Sequence, residues 1–105
     1  MVDIESVREL HESMRLEHDG AMLKGMNLAN ANRSGADYSY ANLEEANFDN
    51  TNLRGANLSF TLCCHASFRG ADCSYADFSQ AYLIYADFTG TILTGAKLPD
   101  GIIHP

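Results

Sequence analysis

The chain has 105 residues, 46% apolar and 20% charged, with fourteen Asp and Glu against seven Lys and Arg and a formal charge of −7. That length holds one domain, and the acidic balance excludes a simple electrostatic grip on nucleic-acid phosphates. No run approaches the ~20 apolar residues that span a bilayer, and the acidic start Met1-Val2-Asp3-Ile4-Glu5 lacks the basic and apolar regions of an export signal.

Residues 1–20 are expected to form an N-terminal helical cap. Within 3–18, Ile4, Val7, Leu10 and Met14 recur at i, i+3, i+6 and i+10, an apolar stripe on a helix. Asp3 or Ser6 supplies the N-cap, and Ser6-Val7-Arg8-Glu9 has capping-box spacing. Asp19-Gly20 then stops the helix.

From Ala21 to Asp100 the chain divides into sixteen unbroken blocks of five. Position one is Ala in twelve blocks, the exceptions being Met26, Thr51, Thr61 and Thr91. Position three, the centre, is Leu in eight and Phe in four, with Cys63, Cys73, Tyr38 and Arg33 in the rest. Position two is Asn or Asp in ten. A five-residue period smears the centres around every face of an α-helix, because each block rotates by about 140°. In a straight strand it sends successive centres to opposite faces. Only a backbone that turns once per block keeps every centre inside. Turns of ~90° close four blocks into a square coil of twenty residues, and coils stack at the ~4.8 Å spacing of paired strands. Gly or Ser near the block ends (Gly25, Gly55, Gly70; Ser39, Ser59) is expected to supply the tight corners.

Blocks such as Ala41-Asn42-Leu43-Glu44-Glu45, Ala46-Asn47-Phe48-Asp49-Asn50 and Ala56-Asn57-Leu58-Ser59-Phe60 resemble the pentapeptide-repeat family over about three-quarters of the chain. The resemblance implies an all-β solenoid, a right-handed quadrilateral β-helix of about four coils over 21–100. The handedness comes from the resemblance alone.

A twenty-residue coil places Leu28, Phe48, Phe68 and Phe88 in one inner column, the predicted core stack. Arg33 breaks the pattern. The first coil is expected to be irregular there, with the guanidinium reaching past its end; the alternative is an anion site that no other residue supports. Residues 101–105 are expected to form a C-terminal tail; Pro99-Asp100-Gly101 turns the chain into it, and Ile102 and Ile103 are expected to fold over the base of the core.

Little in the chain carries chemistry. Cys64 and His65 are the nearest approach to a nucleophile and base, but adjacent residues on a rigid turn rarely align and no third group orients the imidazole. The four histidines are dispersed, no metal-ligand spacing occurs, and no phosphate-binding Gly loop is present. Three cysteines without paired spacing fit a reducing cytoplasm better than a disulfide framework. The expectation is a non-catalytic protein without metal or cofactor, acting through a protein partner and touching neither nucleic acid nor membrane; that it is bacterial is implied by the resemblance alone.

Projecting the outward positions locates a candidate interface of Met22, Tyr40, Phe60, Leu62, Cys64, Tyr82, Ile84 and Tyr85 on one wall and its corner. Leu62 and Tyr82 stand where Asn or Asp is usual. A homodimer through this wall is the simplest case; cover by the N-terminal segment, or plain tolerance of aromatics on a flat wall, would account for the same residues. The family resemblance also implies an alternative, a DNA mimic that binds DNA gyrase. The charge is poorly placed for it, since residues 1–20 carry a net −4 and 21–100 only −3.

Overall fold

The computed structural model describes residues 22–101 and 103. The helix expected over 3–18 lies outside the described residues. Within them the chain is a parallel β-solenoid with a twenty-residue repeat. Twelve parallel bridges each join a position-two residue to the one twenty residues on, in four columns that begin at Met22, Asn27, Asn32 and Asp37. We call each column a wall and each twenty-residue turn of the chain a layer.

The backbone groups are satisfied between layers. On the first wall the Leu43 N–H donates to the Leu62 carbonyl at 2.7 Å, the Glu45 N–H to Cys64 at 3.0 Å, and the Leu62 N–H to Ala41 at 3.1 Å. Corners close with a bond from position one of the next block to the preceding centre, as from the Ala46 N–H to the Leu43 carbonyl at 3.0 Å, and at Thr61 it is the hydroxyl that donates to the Leu58 carbonyl, at 2.8 Å.

Position five turns the corner in every block from Gly25 to Gly95, and always at positive φ. Nine of these residues are not glycine, among them Tyr40, Glu45, Phe60, His65, Tyr75 and Tyr85, at φ between 57° and 64°. The positive φ is what a type II turn requires at its third residue. Serine has a different role from the one expected of it. At position four, Ser39, Ser59, Ser74 and Ser79 donate from both N–H and hydroxyl to the Asn or Asp of position two. The Asn or Asp at position two thus shapes the corner by accepting the backbone N–H two residues on.

The centres make the core. Leu43, Phe48, Leu53, Leu58, Cys63, Phe68, Cys73 and Phe78 are fully buried. Phe48 and Phe68 stack at 5.1 Å, and Phe68 and Phe88 at 4.9 Å, with planes 4° apart in both pairs. Phe78 meets Phe68 edge-on at 5.7 Å. Leu28 is buried at the top of that column, while Phe88, in the last layer, is only partly so. Threonine replaces alanine at position one where its hydroxyl reaches a buried carbonyl, as Thr51 does to Leu28 at 2.7 Å.

Two expectations are corrected. The backbone at Arg33 is regular, with its N–H on the Asn52 carbonyl at 2.7 Å, and only the side chain leaves, to an exposed position. A guanidinium that turns to water avoids the cost of a buried charge. At the other end Ile103 does not fold over the base. It pairs antiparallel with Lys97 and stays exposed, so it covers an open backbone edge instead of the core.

Candidate functional site

The first wall carries Met22, Asn42, Leu62 and Tyr82 at position two and Lys24, Glu44, Cys64 and Ile84 at position four. Both sets alternate with the buried centres, so their Cβ atoms point away from the core. Aromatic posts line its two corners. Tyr40 and Phe60 stack at 5.0 Å with planes 7° apart on one edge, and His65 and Tyr85 stack at 5.1 Å on the other. The spacing between layers is that of stacked rings, which is why aromatics two layers deep hold each other at a corner.

The expected interface is not uniformly surface. Met22 and Phe60 are exposed, Ile84 is 46% and Tyr85 78% exposed, and Tyr40 and Tyr82 are half-buried. Leu62 and Cys64, read from their register as surface residues, are instead 2% and 4% exposed. Two neighbours that read as ordinary solvent-facing polar residues share this burial, Asn42 and, at 4%, Glu44. No signal in the five-residue pattern marks Glu44, because the same position holds exposed charges at Lys24, Arg54 and Arg69.

Cys64 and His65 do not form a catalytic pair in this arrangement. The thiol lies buried on the wall while the imidazole is exposed at the corner on the Tyr85 ring. Burial pushes the thiols of Cys63 and Cys73 up to about 12, which leaves no thiolate to act as a nucleophile near neutral pH. Among the described residues no group of three His, Cys, Asp or Glu is placed to hold a metal ion. Among them, too, no helix is long and apolar enough to cross a membrane.

The other walls are mainly polar ladders, with Ile92 and Tyr75 as exposed apolar exceptions on the third. The Ser39, Ser74 and Thr89 hydroxyls hold the carboxyls of Asp37, Asp72 and Asp87 below the ordinary carboxylate range. Arg69 faces Asp87 at 3.3 Å and Arg54 faces Asp72 at 3.6 Å. Arg54 also lies over the Tyr75 ring at 5.6 Å.

A parallel β-solenoid of five-residue blocks, with Ala, Asx and Leu or Phe in its first three positions, defines a repeat scaffold. The model of pentapeptide repeats matches in eight copies over residues 34–61 and 65–98, more than half of the sequence, and the chain belongs to that family. Among solved structures it is similar to a pentapeptide repeat protein of Nostoc PCC 7120, at 26% identity over 90% of this chain and 74% of that one, with a TM-score of 0.39. It is similar to HetL of the same organism, a protein involved in heterocyst differentiation regulation, at 33% identity over 74% of this chain and 43% of that one, with a TM-score of 0.31. A pentapeptide repeat protein of the Arabidopsis thaliana thylakoid lumen is 28% identical over 81% of this chain and 70% of its own, with a TM-score of 0.36. No curated protein matches the chain at significance.

Proposed function

We propose that the protein is a non-catalytic cytoplasmic scaffold, a right-handed four-sided β-helix of four coils, that binds a protein partner through its first wall. The observation that carries this reading is the exposed pair Ile84 and Tyr85, 46% and 78% open to solvent, at the lower end of a wall whose position-two residues Leu62 and Tyr82 replace the usual Asn or Asp. An aromatic anchor at the edge of an apolar stretch, with the polar residues of the neighbouring walls beyond its aromatic corners, has the composition of a contact surface. A second copy of the chain is the simplest partner, because one self-complementary patch then serves both protomers.

The test is capture by cross-linking from the native cell, with the wild type and Tyr85→Glu as baits, alongside light scattering of both. Position five already accepts a glutamate at Glu45, so the variant keeps its fold. A partner or second copy held by the wild type and lost by the variant supports the reading; equal recovery by both overturns it. DNA-gyrase supercoiling in the presence of the protein should be unchanged. Asp37, Asp72, Asp77 and Asp87 are spent locally, on position-four hydroxyls, with Arg54 on Asp72 and Arg69 on Asp87. Inhibition at low micromolar concentration would favour the DNA-mimic reading instead.

A further inference from the structure

We infer that the third wall is a pairing face for a second copy of this chain, joined about a two-fold axis that runs along the solenoid, with each Tyr75 seated in the other copy's corner at Gly70 and Gly90. The inference does not rest on the partner-binding reading of the first wall. That wall stands on the opposite side, and such a pair leaves it open to another protein.

The argument starts from one departure in a polar column. Position two of the third wall runs Asn32, Asn52, Asp72 and then Ile92, which is 50% exposed. The corner that ends the wall runs Gly35, Gly55, Tyr75 and Gly95, so Tyr75 is the one side chain standing there, 62% exposed. Its ring is nonetheless held. The Arg54 guanidinium lies over it at 5.6 Å, and Arg54 is itself tied to Asp72 at 3.6 Å. A Cβ on Gly95 would stand only 2.5 Å from the ring, so the ring packs directly on that glycine. An exposed aromatic whose conformation is already fixed loses little freedom on binding, and such anchors dominate contacts.

The other corner of the same wall supplies the seat. Below Asn50 it narrows to Gly70 and Gly90. A Cβ on Gly90 would meet nothing nearer than the Gly70 backbone at 3.7 Å, which leaves a notch. A two-fold axis along the solenoid reverses the strand direction across the contact and keeps the layers level. The corner that ends one wall then faces the corner that begins its partner, and Tyr75 meets the partner copy's notch beside its Ile92. The same operation sets Arg54 one layer from the partner's Asp72. Knob and seat on a single face are what a self-complementary contact requires.

Charge selects the same wall. The chain carries −7, so its copies repel one another on most approaches. Among the described residues the first wall sets Glu44 and Glu45 against Lys24, and the second sets Asp49 and Asp87 against Arg69. The fourth sets Asp37, Asp77 and Asp100 against Lys97. Only the third, with Arg33 and Arg54 against Asp72, escapes a net negative charge. At the rise of a strand and the spacing of paired strands the wall measures roughly 300 Å², the scale of a weak, reversible contact.

Sedimentation equilibrium of the wild type, Ile92→Asn, Tyr75→Glu and Tyr85→Glu tests the pairing. Ile92→Asn restores the residue type its column otherwise carries, and position five already holds a glutamate at Glu45, so circular dichroism should show every variant folded. The wild type should dimerise reversibly. Ile92→Asn and Tyr75→Glu should each weaken the dimer ~30-fold or more, with Tyr85→Glu unchanged. A wild type that stays monomeric to about 1 mM overturns the inference, even if the third wall captures some other protein. So does a dimer that survives both third-wall variants, and its loss in Tyr85→Glu alone returns the second copy to the first wall. A mixed result is decided by Thr94→Cys, at an exposed position four of the third wall, and Thr89→Cys, its counterpart on the second. The native thiols are all buried. A short bis-maleimide should link two Thr94→Cys chains and not two Thr89→Cys chains; no link at Thr94→Cys, or equal linking of both, overturns the pairing.

Discussion

Replacing Phe68 by alanine removes the ring at the middle of the inner stack. Phe68 is fully buried, lies between Phe48 at 5.1 Å and Phe88 at 4.9 Å, and meets the edge of Phe78 at 5.7 Å. A phenylalanine buries roughly 150–250 Å², and at about 25 cal/mol per Å² the part lost on truncation is worth about 3 kcal/mol. The cavity between two parallel rings adds to that, because backbone ladders above and below hold the layers apart and limit collapse. A loss of about 4 kcal/mol is expected, inside the range for buried Phe truncations and a large share of the about 5–15 kcal/mol that holds a domain together. The matched control is Arg33→Ala. Arg33 occupies the same block position but is exposed, so its truncation should cost less than about 0.5 kcal/mol. Urea unfolding followed by circular dichroism measures both. Equal losses at the two sites would refute the assignment of block centres to the core.

Three further outcomes follow from the corners, the acids and the thiols. Gly90→Ala should cost about 1 kcal/mol in urea unfolding, because φ is +70° there and a Cβ in the left-handed region is strained; the nearest heavy atom to that Cβ, at 3.7 Å, adds only ordinary contact. Asp37, Asp72 and Asp87 titrate below their ordinary 3.8 in the folded chain, held first by the Ser39, Ser74 and Thr89 hydroxyls. Their stabilisation is therefore present above 3.8 and lost as pH falls below it through the lowered folded values, so the urea midpoint should drop as the pH is taken below 3.8, and drop less in Ser74→Ala. Cys63 and Cys73, pushed up to about 12 by burial, should resist iodoacetamide at pH 8 in the native chain and react in urea, as mass mapping would show.

The block register, the twenty-residue layer and the residues of the inner columns were legible in the sequence by itself. A period of five is compatible with no straight element, and an apolar side chain at the third position of every turning block is kept inside only if it faces the axis. The register also put Leu62 and Tyr82 on a wall where Asn and Asp belong, without saying what that wall meets. Several features belong to tertiary structure alone. Position five takes positive φ even as Tyr or Phe, because the turn bond and the ladder between layers impose the corner on whatever residue stands there. Arg33 keeps its backbone bond and turns its side chain out, since the top layer has water within reach of a long side chain. Leu62, Cys64 and Glu44 are buried on an outward face. A repeat pattern describes only how a layer meets the layers above and below it; burial on an outer wall depends on what lies across that wall, and a period of five holds no information about that.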